Sequence, residues 1–215
     1  MLGNYGSGKT ELSLNFAIDA AKKKKTVLVD FDIVNPFFRS SEQVELLKQN
    51  NVELISQPYS LTNVDLPVVG AMVNKVFDQP YEYVVFDVGG DPVGATALGR
   101  FKSKLDKFPN KEVFLVVNTL RPLTQSFDDI NEMLLKIQNA SRQNITALIN
   151  NTNIAKQTLA EHILKGQEIL ATVSKKNNIP IKYITGTKEI LDKIDCDNIS
   201  GELLSVVTYM KPQWL

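Results

Sequence analysis

The stretch Gly3-Asn4-Tyr5-Gly6-Ser7-Gly8-Lys9-Thr10 decides how this chain folds. It matches the pattern G-x-x-x-x-G-K-[ST] in full. The glycines let consecutive backbone N–H groups turn inward and wrap an anion. Lys9 is the cation that reaches the β- and γ-phosphates, and the Thr10 hydroxyl ligates Mg²⁺. Lys9–Lys24 is patterned as a helix, so its positive N-terminus faces the same anion. Gly3, Gly6, Ser7, Gly8, Lys9, Thr10 and Glu11 are therefore the expected nucleotide-binding segment. A glycine-rich turn before an ordinary helix would explain the glycines but not the Lys-Thr pair.

A phosphate loop follows a buried strand. Only Met1 and Leu2 precede Gly3 here, whereas a strand usually has ~5–6 residues. The strand so implied would lie in the middle of the sheet, beside the one ending at Asp87. The expectation is that the native chain starts upstream of Met1.

Outward from the loop, short apolar runs alternate with longer amphipathic ones. Val27–Phe31, Tyr83–Asp87, Val113–Asn118, Thr146–Asn150 and Ile181–Thr185 read as strands covered on both faces. Lys9–Lys24, Ser41–Gln49, Leu66–Phe77, Val93–Lys107, Leu123–Ala140, Ala155–Lys176 and Thr187–Ile194 read as helices, with a last short one at Leu203–Tyr209. Strands separated by helices imply βαβ units. The expected fold class is α/β: a mostly parallel sheet flanked by helices on both faces. No linker or repeat interrupts residues 1–215, which predicts a single nucleotide-binding domain.

Carboxylates stand where ligands gather in such a sheet, beyond the C-terminal strand ends. Val27-Leu-Val-Asp30-Phe-Asp32 ends one strand. Phe86-Asp87-Val-Gly-Gly90 ends another in a D-x-x-G pattern. Asp87 is expected to hold Mg²⁺ through a water. Asp32 is expected to orient the attacking water or to bind Mg²⁺ through water, with Asp30 behind it. Gly90 can bring its N–H to a γ-phosphate, which makes the segment from Val88 a switch. The strand Ala147–Asn150 runs into Asn151, whose amide both donates and accepts and suits adenine. A guanine-reading carboxylate three residues later is absent, so ATP is favoured over GTP.

The remaining composition excludes much. Lys+Arg and Asp+Glu both number 24, for zero formal charge, which argues against a nucleic-acid partner. One Cys (Cys196) and one His (His162) leave no disulfide framework, no all-Cys zinc site and no catalytic triad. No run reaches the ~18 apolar residues of a membrane span, and no signal peptide precedes the loop. The cytosol is the expected compartment.

The order of these parts resembles the MinD/ParA/CobQ group of SIMIBI-class P-loop NTPases over nearly the whole chain. Gly3–Glu11, Asp30–Arg39 and Phe86–Arg100 resemble an uncharacterised bacterial branch of the CobQ/CobB/MinD/ParA nucleotide-binding proteins. The resemblance implies ATP and Mg²⁺ as ligands, slow hydrolysis and dimerisation around the nucleotide. Lys9, Thr10, Asp32, Asp87 and Asn151 fall on its positions for phosphate, Mg²⁺, water, Mg²⁺ and adenine. The group usually carries a second lysine directly after the first glycine, and Asn4 stands there in this chain. A homodimer is thus left open, and so is turnover.

Three functions are consistent with this reading: an ATPase switch or accessory factor with an unnamed protein partner, a nucleotide-gated binding module, and an ATP-dependent ligase or kinase on a small metabolite. Phe37, Phe38 and Arg39, together with Arg100, are further candidates for partner or phosphate contact. The tail Ser200–Leu215, with Pro212 and Trp214, reads as docked on the body of the protein.

Overall fold

Thr26–Phe31 (β1) is buried along its whole length, as a strand with both faces covered must be. In the computed structural model, which describes residues 1–32, 41–56, 66–90, 92–108, 110–195 and 199–210, β1 pairs in parallel with Val52–Ile55 (β2) on one side. On its other side it pairs with Tyr83–Val88 (β3); in the chain, Ser41–Gln49 (α2) lies between β1 and β2 and Leu66–Asp78 (α3) between β2 and β3. A second parallel group runs Phe114–Val117 (β4), Ala147–Asn150 (β5), Ile181–Gly186 (β6) and Glu202–Ser205 (β7).

Met1 and Leu2 join the two groups. The Met1 amino group donates to Phe86 O at 2.7 Å, and Val88 N donates to Met1 O at 3.2 Å. Leu2 N donates to Phe114 O at 2.9 Å, and Val116 N donates to Leu2 O at 2.8 Å. The two residues therefore occupy the central position of the sheet, beside the strand that carries Asp87, as the sequence leads one to expect.

Alternation along β1 and its neighbours separates two layers. Val27, Val29, Phe31, Leu115 and Leu148 face one side, under the helices Pro92–Gly99 (α4), Phe127–Ser141 (α6) and Ala160–Asn177 (α7). Leu28 and Val85 face the other, where Lys9–Ala21 (α1) buries Leu14, Ala17 and Ile18. Each such Leu or Ile contributes about 1.5–3 kcal/mol by leaving water. This packing fixes α1 over β1 and β3, with the phosphate loop at their C-terminal edge.

Helices α4 and α6 converge at their C-terminal ends. A methyl group on Gly99 would lie 2.7 Å from Ala140 O, so only glycine allows this approach. A cavity of about 290 Å³ runs along α6 from Asp129 to Ala140 and reaches Ala95 of α4 and the phosphate loop at Gly3 and Asn4.

Several sequence expectations need correction. The edge strands β2 and β7 were not anticipated. Leu203–Tyr209 is no helix: Glu202–Ser205 is a strand paired with β6, entered through Gly201 at φ 115. The helix expected over Val93–Lys107 breaks into α4 and Lys102–Leu105 (α5). The one expected from Leu123 starts at Phe127. There the Ser126 side chain accepts from Asp129 N, while Ser126 N donates to the Asp129 carboxylate. This capping box fixes the N-terminus. Likewise α7 starts at Ala160, where His162 Nδ1 accepts from Leu159 N at 3.1 Å. His162 is a helix-start residue.

Candidate nucleotide-binding site

Three carbonyls of the loop Gly3–Gly8 are taken up by side chains. Lys9 Nζ donates to Asn4 O at 2.9 Å. Arg121 Nε donates to Gly6 O at 3.1 Å. Asn151 Nδ2 donates to Ser7 O at 2.7 Å. With these carbonyls held by side chains, the loop is braced around its own anion cradle. Gly6 and Gly8 have φ values of 73 and 87, a region that glycine enters without strain. Gly8 has a second reason to be glycine: a methyl there would lie 2.2 Å from Asn151 Nδ2. Ser7 Oγ is buried and has no hydrogen-bond partner among the described residues.

The helix after the loop presents Lys9, Thr10 and Ser13 towards β3. Asp87 is 2% exposed and accepts from Ser13 Oγ at 3.2 Å and from the Thr10 hydroxyl. Burial pushes its carboxyl upward, while Thr10, Lys9, the chain's amino terminus and Ser13 pull it back. Burial also lowers the Met1 amino group to about 6, with Asp87 opposing the drop. Asp30 lies in register with Asp87 on the neighbouring strand, and its Oδ1 accepts from Asp32 N at 3.2 Å. Asp32 sits further out, against Gly89: a methyl on Gly89 would lie 2.9 Å from Asp32 Oδ1. Acid, hydroxyl and loop thus share one edge of the sheet.

Gly90 closes the phosphate end. A methyl on it would lie 2.6 Å from Tyr5 N and 2.9 Å from Lys9 Nζ. The D-x-x-G turn therefore lies directly on the loop and its lysine.

The residues fit a divalent cation bound with phosphate. The hydroxyl of Thr10 already faces the Asp87 carboxylate. Among the described residues no three His, Cys, Asp or Glu side chains could hold a metal by themselves. Magnesium would be held by Thr10, by Asp87 and Asp32 through water, and by the nucleotide's own oxygens.

Asn151 and Glu11 are placed less simply. The Asn151 amide is 7% exposed and is tied at both ends, to Ser7 O and to Thr185 Oγ1 at 2.6 Å. Its visible role is to strut the phosphate loop against the end of β6. Glu11 turns away from the loop, and its carboxylate accepts from Tyr209 N at 2.7 Å and Met210 N at 3.2 Å. With Asn15 bonded to both backbone groups of Val207, it docks residues 207–210 onto α1. Arg100 is exposed. Phe37, Phe38, Arg39, Cys196, Pro212 and Trp214 lie outside the described residues.

One contributor escaped the sequence reading. Arg121 follows β4 in the turn Asn118–Thr124, at the same sheet edge as Asp87. A polar run ending an apolar strand was the available signal.

Comparisons with known proteins agree with this geometry. The CobQ/CobB/MinD/ParA nucleotide binding domain model matches residues 3–189. A search of curated proteins finds no match. Among solved structures, FtsY from Mycoplasma mycoides is similar at 20% identity and a TM-score of 0.58, over 86% of this chain and 58% of that one. Cell division protein FtsY from Thermotoga maritima gives 20% and 0.59, over 86% and 60%. The signal recognition particle receptor FtsY from Elizabethkingia anophelis, solved in complex with GDP, gives 21% and 0.54, over 86% and 55%. At such identities the likeness is one of fold, and this chain spans under two thirds of each of those proteins. No helix among the described residues is long and apolar enough to cross a membrane. The family match begins at the first glycine of the phosphate loop and runs through both acidic strands to α8 (Lys188–Leu191): the chain belongs to the CobQ/CobB/MinD/ParA nucleotide-binding family of SIMIBI-class P-loop proteins.

Proposed function

We propose that this nucleotide-binding P-loop protein takes ATP with Mg²⁺, hydrolyses it slowly to ADP and phosphate, and acts as a switch or accessory factor for a protein partner. The observation that carries the reading is Gly90, seated on Tyr5 N and Lys9 Nζ. A γ-phosphate bound to Lys9 has to contact or displace this turn, so the nucleotide's state is transmitted to α4. Lys9 and the loop amides stabilise charge on the transferring group. Asp32, beside Gly89, orients the attacking water. Magnesium, held by Thr10 and Asp87, supplies further charge neutralisation.

The adenine preference rests on Asn151. Its two bonds leave one amide proton and one oxygen lone pair for a base edge, and no carboxylate follows at the guanine-reading position. Lys9→Ala is the test: nucleotide binding should be abolished by calorimetry. A variant that binds ATP as well as the native chain sinks the assignment. GTP titrated beside ATP checks the base, with tighter ATP binding expected.

One observation favours a second reading, ATP-dependent ligation or phosphorylation of a small metabolite. The cavity of about 290 Å³ touches Gly3, Asn4, Gly89 and Gly90 and continues between Met133 and Ile137 of α6. Asp129, Glu132 and Lys136 line it beside its apolar residues, so a γ-phosphate held by Lys9 would border a chamber able to take a polar metabolite. Metabolite-stimulated ADP formation supports this reading. Phosphate release at the same rate whatever metabolite is added supports the switch.

A further inference from the structure

We propose that Arg121 is a second cation of the phosphate site, supplied in cis, and that the turn bearing it is built to hold it over the loop. The inference rests on the nucleotide reading above and adds a residue to it. Lys9 is the phosphate loop's own cation, and it faces an edge carrying Asp30, Asp32 and Asp87. A nucleoside triphosphate brings more negative charge to that edge.

The turn is rigid for specific reasons. The Asn118 side chain is 1% exposed. It accepts from Leu120 N at 3.0 Å and donates to Asn153 O at 2.9 Å. The Thr124 hydroxyl, also 1% exposed, donates to Asn118 O at 2.7 Å. Arg121 N closes the turn on Asn118 O at 3.1 Å. From the other side, Asn4 Nδ2 donates to Pro122 O at 3.2 Å. Asn4 thus ties this turn to the phosphate loop.

The guanidine end lies on the middle of the loop. A methyl on Gly6 would meet Arg121 Nε at 3.4 Å and Cζ at 3.7 Å. Nε is spent on Gly6 O, and the terminal nitrogens carry the remaining donors of an always-charged fork. The side chain is exposed, so a phosphate chain can draw it round without unpacking a core. An exposed arginine lying on the middle peptide of the phosphate loop is suited to recognise the β- and γ-phosphates, not the base.

The experiment titrates the full chain, Arg121→Gln and Arg121→Lys with ATP and with ADP by calorimetry at two salt concentrations. Arg121→Gln should weaken binding about tenfold, the scale of one charge-assisted hydrogen bond, and flatten its salt dependence. Arg121→Lys should recover most of the affinity. Unfolding without nucleotide should be unchanged in both. Native affinity in Arg121→Gln overturns the proposal. So does equal weakening by Gln and Lys, or a nucleotide-free loss of stability, because either assigns the effect to the Gly6 contact. Native protein that binds neither nucleotide removes the nucleotide reading as well, which separates the two failures.

Discussion

Asn151 offers the sharpest test of how the site is held together. Asn151→Ala removes the donor to Ser7 O at 2.7 Å and the acceptor of Thr185 Oγ1 at 2.6 Å. The Thr185 hydroxyl keeps Asn150 O at 3.2 Å, so its loss is one ordinary bond, about 1 kcal/mol. Ser7 O is left without this side-chain partner beneath the loop, which costs about 1–3 kcal/mol. The expected destabilisation is therefore about 2–4 kcal/mol, or a fall in Tm of about 4–16 °C for a chain of this size. Urea unfolding followed by circular dichroism measures it. Asn151→Asp should be worse than Ala, because a carboxylate presents only acceptors to Ser7 O. A double-mutant cycle with Thr185→Val should show coupling of about 0.5 kcal/mol or more. If Asn151→Ala shifts stability by less than about 0.5 kcal/mol, the level of an ordinary surface change, the strut does not exist as described.

Gly8→Ala forces a methyl to 2.2 Å from Asn151 Nδ2 at a φ of 87, so it should abolish nucleotide binding, as a fluorescent nucleotide titration would reveal. Ser126→Ala removes the capping box of α6 and should cost about 1 kcal/mol, with nucleotide affinity unchanged; a shift in affinity would mean the cap also positions the neighbouring turn. Leu123 is 74% exposed at a φ of 65, so Leu123→Gly should raise stability by releasing about 1 kcal/mol of left-handed strain. A lower Tm in that variant would show that the leucine packs better than its exposure indicates.

The parts of the fold that the sequence revealed are those where burial and chemistry coincide. β1 and β3 are buried runs ending in carboxylates, and the phosphate loop has a spelling set by anion binding. The edge strands escaped for a physical reason. In β2, Glu53 points outward to Lys75, and β7 is exposed at both ends, so neither shows a continuous apolar run. Their conformation is imposed by pairing with β1 and β6. Helix starts were misplaced where a side chain, Ser126 or His162, ends the turn before the apolar period would. In the site, the meeting of Lys9, Thr10 and Asp87 at one sheet edge was readable from the loop's spelling and the order of the strands. The bracing by Arg121 and Asn151 was not, since it depends on which loop lands on which carbonyl.

The packing of α4 against α6 has a mechanical consequence. At Gly99 the two helices meet backbone to backbone, with no side chain to slide or yield. At the Gly90 end Gly94 makes the same kind of contact, a methyl there lying 3.2 Å from Gly89 N. Helix α4 is therefore held backbone to backbone at both ends, on Gly89 through Gly94 and on Ala140 through Gly99. A shift of the Gly89–Gly90 turn would accordingly carry α4 with it as one body. The turn beside the phosphate loop and the α4–α6 contact are thus joined by one short helix with no compliant side chain at either end.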